Sequence, residues 1–413
     1  MKFLIIILIC VCARALFAAE AELGSGDFRP SLEKPFGWRG DGSGRFPGAT
    51  PVTEFSLTKN VRWSVEVGRG HSSPILTEKC VLVMGEPNHL FCIDRADGKV
   101  KWKVDVTSAD ITDAEARKVV DAYEPPKDGS GMAAATPLTD GVNVYVVLAN
   151  GIVRAFDLEG KPKWIAAITA QQNTGYGRSA SPIIVAGKLI VSMTNLYAFD
   201  PATGKQLWVN EEALSSYGTP TGLKVGKVDV IVTPTGAVVG ASDGKTLASD
   251  IGRTAHASPL AAGDGLVFFG DNTASMVRLD GAWKDTETWN GMLSGEVFGS
   301  PILHEKTMFL TTGAGELFAF DANSKDSAEP VIDKRALFEN GGGASPAAYA
   351  SLTLAGKYLF YNSNKGEIVV MEANREAKVV AKNKMGAGSG ASLVFSGKEM
   401  FLRDGGKVFC IGE

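Results

Sequence analysis

The chain has 413 residues, 45% hydrophobic and 21% charged, a balance that excludes a disordered polypeptide and a multi-span membrane protein. Forty-two lysines and arginines against 46 aspartates and glutamates leave a formal charge of −4, so there is no basic excess to draw a nucleic acid. Glycine, at 48 residues, exceeds its usual share of about 7% and predicts many tight turns, as in an all-β chain of short strands.

Residues 1–21 read as a secretory signal peptide. Lys2 precedes an apolar run from Phe3 to Ala13 that is too short to span a bilayer, and Ala19-Glu20-Ala21 offers a small-x-small cleavage site. Ile9 before Cys10 and Val11 before Cys12 do not suit lipidation. The expectation is export to the periplasm or the extracellular space, with no transmembrane segment in the mature chain. Residues 22–60 form an N-terminal strap, and residues 61–413 the body.

The body is a repeat. A Ser/Thr-Pro pair opens an apolar run at Ser73, Thr136, Ser181, Thr219, Ser258, Ser300 and Ser345, and Ala391-Ser392-Leu393 is an eighth copy without proline. Four short β-type runs follow each opening. In the third unit they are Pro182-Ile183-Ile184-Val185, Leu189-Ile190-Val191-Ser192, Leu196-Tyr197-Ala198-Phe199-Asp200 and Leu207-Trp208-Val209, joined by glycine-bearing turns. Tryptophan follows the third-strand aspartate in Asp94…Trp102, Asp157…Trp164 and Asp200…Trp208. A four-stranded unit of roughly 40 residues repeated radially is a propeller blade. The eighth unit ends after its third run, and Asn60-Val61-Arg62-Trp63-Ser64-Val65 resembles a fourth strand without a unit. The fold expected is therefore an eight-bladed β-propeller of four-stranded antiparallel blades, its last blade closed by the N-terminal strand, which removes an open sheet edge.

Between the first two units, residues 108–132 are inserted. Ile111, Ala114, Lys118, Val119 and Ala122 share one helical face, with Ser108 or Thr112 as the cap and Pro125-Pro126 as the stop. Either a lid or partner-docking helix, or a tolerated loop insertion, accounts for it. Three cysteines remain after the signal. Cys92 and Cys410 occupy a slot that alanine takes in other units and read as small buried hydrophobes, while Cys80 and Cys92 flank one hairpin and can pair across it. No Cys-x-x-Cys or His-x-x-His spacing suggests zinc.

The Ser-Pro opening, the Leu-Tyr-Ala-Phe-Asp-x-x-x-Gly-Lys-x-x-Trp unit and the eightfold count resemble the PQQ-like (pyrroloquinoline quinone repeat) propellers. That family includes quinoprotein dehydrogenases and the BamB-type outer-membrane protein assembly factor. Trp38-Arg39-Gly40 resembles the opening of short exported members. A dehydrogenase would imply PQQ with calcium, a carboxylate base and a disulfide between adjacent cysteines. No two cysteines here are adjacent.

Candidate site residues come from the five positions before each Ser/Thr opening, which should surround the upper mouth of the central channel. They hold one acid, Glu296, with Arg69, Arg178, Arg253, His71 and His256, a formal charge of +2. One carboxylate does not make a calcium site and a base. Clustered guanidinium groups suit carboxylate or phosphate. Arg69, His71, Arg178, Tyr217, Arg253, His256 and Phe298 are therefore candidate ligand-binding residues, with no catalytic or metal-ligating residue among them. His71 and His256 belong to opposite blades. The functional expectation is an exported, non-catalytic scaffold that binds a protein or a small anion, without a cofactor. The alternatives are a PQQ-dependent dehydrogenase and an assembly-factor-like structural subunit.

Overall fold

The computed structural model describes residues 20–125, 131–170, 180–214, 217–263, 265–270, 272–338 and 348–413. The apolar run of the signal peptide, Arg178 and the Ser345-Pro346 pair lie outside the described residues.

Eight sheets follow one another along the chain, each running from a short innermost strand to an outer one. Blade 1 consists of Ile75–Leu76, Cys80–Gly85, His89–Asp94 and Val100–Asp105. Blades 2 to 7 span residues 138–167, 183–210, 221–248, 260–292, 302–336 and 353–384. Blade 8 holds Val394–Ser396, Glu399–Asp404 and Lys407–Ile411, and Val61–Glu66 joins it antiparallel with Trp63 opposite Cys410. The N-terminal strand thus closes the last blade as the strand count predicts. Two sheets carry a fifth, parallel strand: Arg45–Phe46 beside the innermost strand of blade 7, and Asp326–Ser327 beside the outer strand of blade 5. Both additions come from outside the local hairpin pattern, so alternation along the chain does not signal them.

The tryptophans hold neighbouring blades together. Indole Nε1 of Trp63, Trp102, Trp164 and Trp208 donates to the carbonyl of Arg95, Leu158, Pro201 and Ala241, each in the last turn of the next blade, at 3.0, 3.0, 2.9 and 3.3 Å. The glycine of that turn lies flat on the ring. A Cβ on Gly204, whose φ is +71°, would stand 2.4 Å from Cδ2 of Trp164. The Gly-Lys signature is therefore a docking surface as much as a turn.

The strap lies across the end of the barrel opposite the mouth. Phe36 exchanges backbone hydrogen bonds with Thr139 of blade 2, and Thr50 N–H donates to Gly397 of blade 8 at 2.8 Å. Phe46 is fully buried against Phe36 and Phe395. Arg39 is buried between the innermost strands of blades 6 and 7, where Nη2 donates to Pro301 and Leu352 carbonyls at 2.7 and 3.2 Å. Burial lowers its pKa to about 9.

The insertion forms one helix, Ala114–Asp121. Two expectations for it fail. Its cap is Asp113, whose carboxylate accepts the N–H groups of Glu115 and Ala116 at 2.9 and 3.0 Å, while Ser108 instead bonds Asp121 at the far end. Its inward face is Ile111, Ala116, Val120 and Tyr123, and Val119 is half exposed at 52%. The chain reverses at Ile111 before the helix begins, so the helical spacing cannot be counted through that residue. Asp110 ties the segment to the buried Arg154 of blade 2 at 2.5 Å.

Candidate functional site

A belt of hydroxyls positions the mouth. Ser73 N–H donates to Thr136 Oγ1 of the next blade at 3.1 Å, Thr136 to Ser181 at 3.0 Å and Ser181 to Thr219 at 3.0 Å. Beyond blade 4 the same pattern runs Ser258 to Ser300, Ser300 to Ser351, Ser351 to Ser392, and Ser392 back to Ser73, at 2.9, 2.9, 3.3 and 2.9 Å. Serine or threonine is needed because a short hydroxyl reaches the neighbour's amide at the crowded axis. Proline is dispensable. The belt residue of blade 7 is Ser351, followed by leucine, and not Ser345 as the Ser-Pro spacing predicts. Between blades 4 and 5 the buried hydroxyl of Ser258 has no hydrogen-bond partner.

One residue above the belt the side chains are small: Ser72, Ala135, Ala180, Gly218, Ala257, Gly299, Ala350 and Ala391. A Cβ on Gly218 would lie 2.2 Å from the Ala257 carbonyl oxygen, which shows how tightly the strands converge. One further residue up, the row opens to the mouth. It reads His71, Ala134, Tyr217, His256, Phe298, Tyr349 and Gly390 for the blades whose member is described.

These side chains form a continuous aromatic file over blades 4 to 7. Tyr217 stacks on His256 with ring centres 5.3 Å apart, and His256 on Phe298 at 4.5 Å, both at 28° between planes. Phe298 meets Tyr349 edge-on at 5.2 Å. The file then stops at Gly390, where a Cβ would fall 2.9 Å from His71 Nδ1 and 3.4 Å from the Tyr349 Cβ. That glycine makes room for His71 and Tyr349 on either side of it.

Of the sequence-predicted residues, the structure thus brings Tyr217, His256 and Phe298 into one stack. It places His71 beyond Gly390, and Arg69 and Arg253 exposed on the same rim. Arg178 falls outside the described residues. The Ser345-Pro346 register does not reach Tyr349, which joins the file because the belt residue of blade 7 is Ser351. The position of Tyr349 two residues before a Ser-Leu pair, as in blade 8, was the available signal. Glu296, the lone acid, pairs with His256 across a 2.9 Å Nε2–Oε1 contact, with the carboxylate still 59% exposed.

A second buried polar centre sits beside the mouth. Arg403 of blade 8 donates to the carbonyls of Gly68, Ser72 and Met84 at 2.5, 3.3 and 2.6 Å, binding the approach to blade 1. Burial lowers its pKa to about 10. Glu86 accepts N–H groups of Gly131 and Ala133 at 2.9 and 3.1 Å, fixing the end of the insertion. Desolvation raises its pKa despite those donors and Arg403.

The chemistry available is recognition by rings, guanidinium groups and one His–Glu pair. Calcium takes six to eight oxygen ligands, yet the one acid of the mouth row is already engaged by His256. Among the described residues no group of three or more His, Cys, Asp or Glu side chains is placed to hold a metal ion. The three described cysteines are free thiols and no two are consecutive in sequence. These residues do not fit a calcium-bound quinone.

Fold and axial architecture define an eight-bladed propeller of repeated PQQ-like blades. A family model described as outer membrane protein assembly factor BamB matches residues 50–221 and 213–328, more than half of the chain, and the chain belongs to that family. The sequence finds no match among curated proteins. Among solved structures, BamB from Moraxella catarrhalis superposes with a TM-score of 0.58 at 11% identity, covering 85% of this chain and 98% of that one. A europium-containing methanol dehydrogenase gives 0.56 at 13% identity, over 83% and 84% of the two chains. The computationally designed Ika8 protein gives 0.58 at 12%, over 86% and 100%. An assembly factor, an enzyme and a designed protein match equally well, so the likeness speaks for the fold alone. No helix among the described residues is long and apolar enough to cross a membrane.

Proposed function

We propose that the protein is an exported, non-catalytic binding scaffold of the cell envelope, periplasmic or extracellular, whose upper mouth engages a protein segment or a small anionic ligand. The observation that carries this reading is the aromatic file from Tyr217 to Tyr349, with Arg69 and Arg253 exposed in the segments that lead into blades 1 and 5 and Glu296 paired with His256. Such a rim supplies contact area and charge-assisted hydrogen bonds but no donor set for a quinone and its calcium. Family membership supports a protein partner, since the matching model is described as an assembly factor.

The test is capture from envelope extract with the wild type and an Arg69→Ala/Arg253→Ala variant. A partner retained by the wild type, weakened by salt and lost from the variant supports the anion-preferring mouth; each lost guanidinium bond is worth about 1.5–3 kcal/mol. Dye reduction with alcohols or aldose sugars after adding PQQ and calcium, at ordinary enzymatic rates, would overturn the non-catalytic reading.

A further inference from the structure

The two thiols of blade 1 stand apart from the mouth, and core packing explains only one of them. Cys80 opens the second strand and Cys92 lies in the third. The register pairs Cys80 with Asp94 and Leu82 with Cys92, so both sulfurs project from one face of the sheet, one diagonal apart. The two thiols lie close enough for each to shift the other's titration. Cys80 is half-buried, whereas Cys92 is 1% exposed.

Blade 8 shows what this arrangement is without its partner. There Cys410 faces Phe401 as Cys92 faces Leu82, and the diagonal position is Glu399, held by Arg62 and Arg95. Cys410 is a buried thiol whose pKa is pushed up to about 12 by desolvation. The position of Cys80 is taken by Asn143 in blade 2 and Thr307 in blade 6, each opposite the third-strand aspartate. Packing in the alanine slot accounts for Cys92 and Cys410. It does not account for a second cysteine at a half-exposed site against the first.

The geometry points to Cys80 and Cys92 as a redox-active dithiol, a modification site that a small disulfide oxidant converts to an intramolecular disulfide. Cys80 is the attacking sulfur. The neighbouring Cys92 thiol lowers its pKa against the opposing effect of burial, with help from Lys101 and the Thr77 hydroxyl. Cys92 is raised by the Cys80 thiol and by burial, so it keeps its proton until the first step is complete. An accessible thiolate beside a buried resolving thiol is the arrangement that thiol–disulfide exchange uses.

In the first step the Cys80 thiolate attacks one sulfur of the oxidant's disulfide. That S–S bond breaks, and one thiolate leaves with the electron pair and takes a proton from water. Cys92 then gives its proton to solvent and attacks the Cys80 sulfur of the mixed disulfide, expelling the second thiolate. Two electrons pass from the protein to the oxidant, which ends as two thiols. Diagonal positions are typically ~7–8 Å apart, beyond the ~6.8 Å at Cα that a disulfide usually spans, so closure requires the hairpin to shear and the bridge should be readily reduced.

The test uses the full mature chain, reduced and then exposed to excess oxidised glutathione at neutral pH. Wild type and Cys410→Ser should both lose the mass of two hydrogen atoms, with the crosslink mapped to Cys80 and Cys92 by digestion under acid. Cys92→Ser should stop with one glutathione on Cys80, and Cys80→Ser should stay unmodified. Dithiothreitol should restore the starting mass. Three unreacted thiols in the wild type, or a glutathione adduct as persistent there as in Cys92→Ser, would overturn the proposal. The wild-type digest decides the matter even where a serine variant fails to fold.

Discussion

The seams from blade 8 round to blade 4 repeat one device, whereas of the four from blade 4 back to blade 8 the blade 5–6 seam alone keeps an outer-strand tryptophan bonded to the next blade's turn carbonyl. On the first side, an outer-strand tryptophan lies on the turn glycine of the next blade four times over. On the second, Ala248 of blade 4 occupies the tryptophan slot, opposite Val238 as Trp208 is opposite Ala198. The ring comes from the other side instead. Trp283, with φ +64°, stands in the blade-5 turn where Gly160 stands in blade 2, closing the same turn between Asp280 and Lys284, and it packs back against the blade-4 core. Between blades 6 and 7, Arg335 donates to the carbonyls of Glu376 and Ala377 at 2.6 and 3.1 Å. Between blades 7 and 8 the strap enters. Ser56 bridges to Lys384, Phe55 is 3% exposed, and its N–H donates to Asn383 Oδ1 at 2.8 Å. A seam needs its volume filled and the turn carbonyl satisfied, and several side chains can do both.

The comparison can be broken most severely at Trp289, the single outer-strand tryptophan on the irregular side, 1% exposed and stacked on Phe320 with ring centres 6.1 Å apart. Trp289→Ala should lower unfolding free energy by about 3–5 kcal/mol in a urea titration, through the cavity and the orphaned Ala322 carbonyl. A loss under 1 kcal/mol, on the scale of an ordinary surface substitution, would mean that this seam is not held by its ring.

The regular side is sharpened by two glycines of identical backbone. Gly204 and Gly187 both have φ +71°, but a Cβ would strike the Trp164 ring at the first and meet nothing within 4 Å at the second. Alanine at each carries the same left-handed penalty, so the excess cost at Gly204, about 1–3 kcal/mol, measures ring contact alone. Equal melting of the two variants would separate the glycine from tryptophan docking.

Exchanging the two devices tests their equivalence. Trp283→Gly and Ala248→Trp should each destabilise, the first by emptying the seam and the second by crowding it. The double variant should recover part of the loss, with a coupling of about 0.5–3 kcal/mol in a double-mutant cycle. Strict additivity would refute the exchange.

The smallest effect is electrostatic. Arg375 of blade 7 pairs with Asp321 of blade 6 at 2.8 Å and holds its carboxyl below the usual range. A lowered folded-state pKa contributes stability above the ordinary aspartate value of about 3.9, and that contribution is lost as pH falls through the lowered value. Arg375→Ala should cost less than about 1 kcal/mol near neutral pH, since the pair is largely solvated, and nothing in acid. A cost that persists in acid would assign Arg375 to packing.

Repeat number, strand order, the closing strand and the recurrence of the outer-strand tryptophan were legible in the sequence because each is written in short-range spacing. Alternation, a turn glycine and a tryptophan a fixed distance later are properties of some forty consecutive residues, and eight copies reinforce one another. Tertiary structure alone decided the rest. Ser351 is the belt residue because its hydroxyl meets an amide 51 residues away, a contact that no Ser-Pro pair encodes. Trp283 and Phe55 gain their roles only when the neighbouring blade is found to lack a ring. The mouth residues were locatable by counting, but their stacking depends on four chain segments converging at one axis. Local pattern sets strands and turns, whereas the filling of a seam or an axis depends on the volume left by residues distant in sequence.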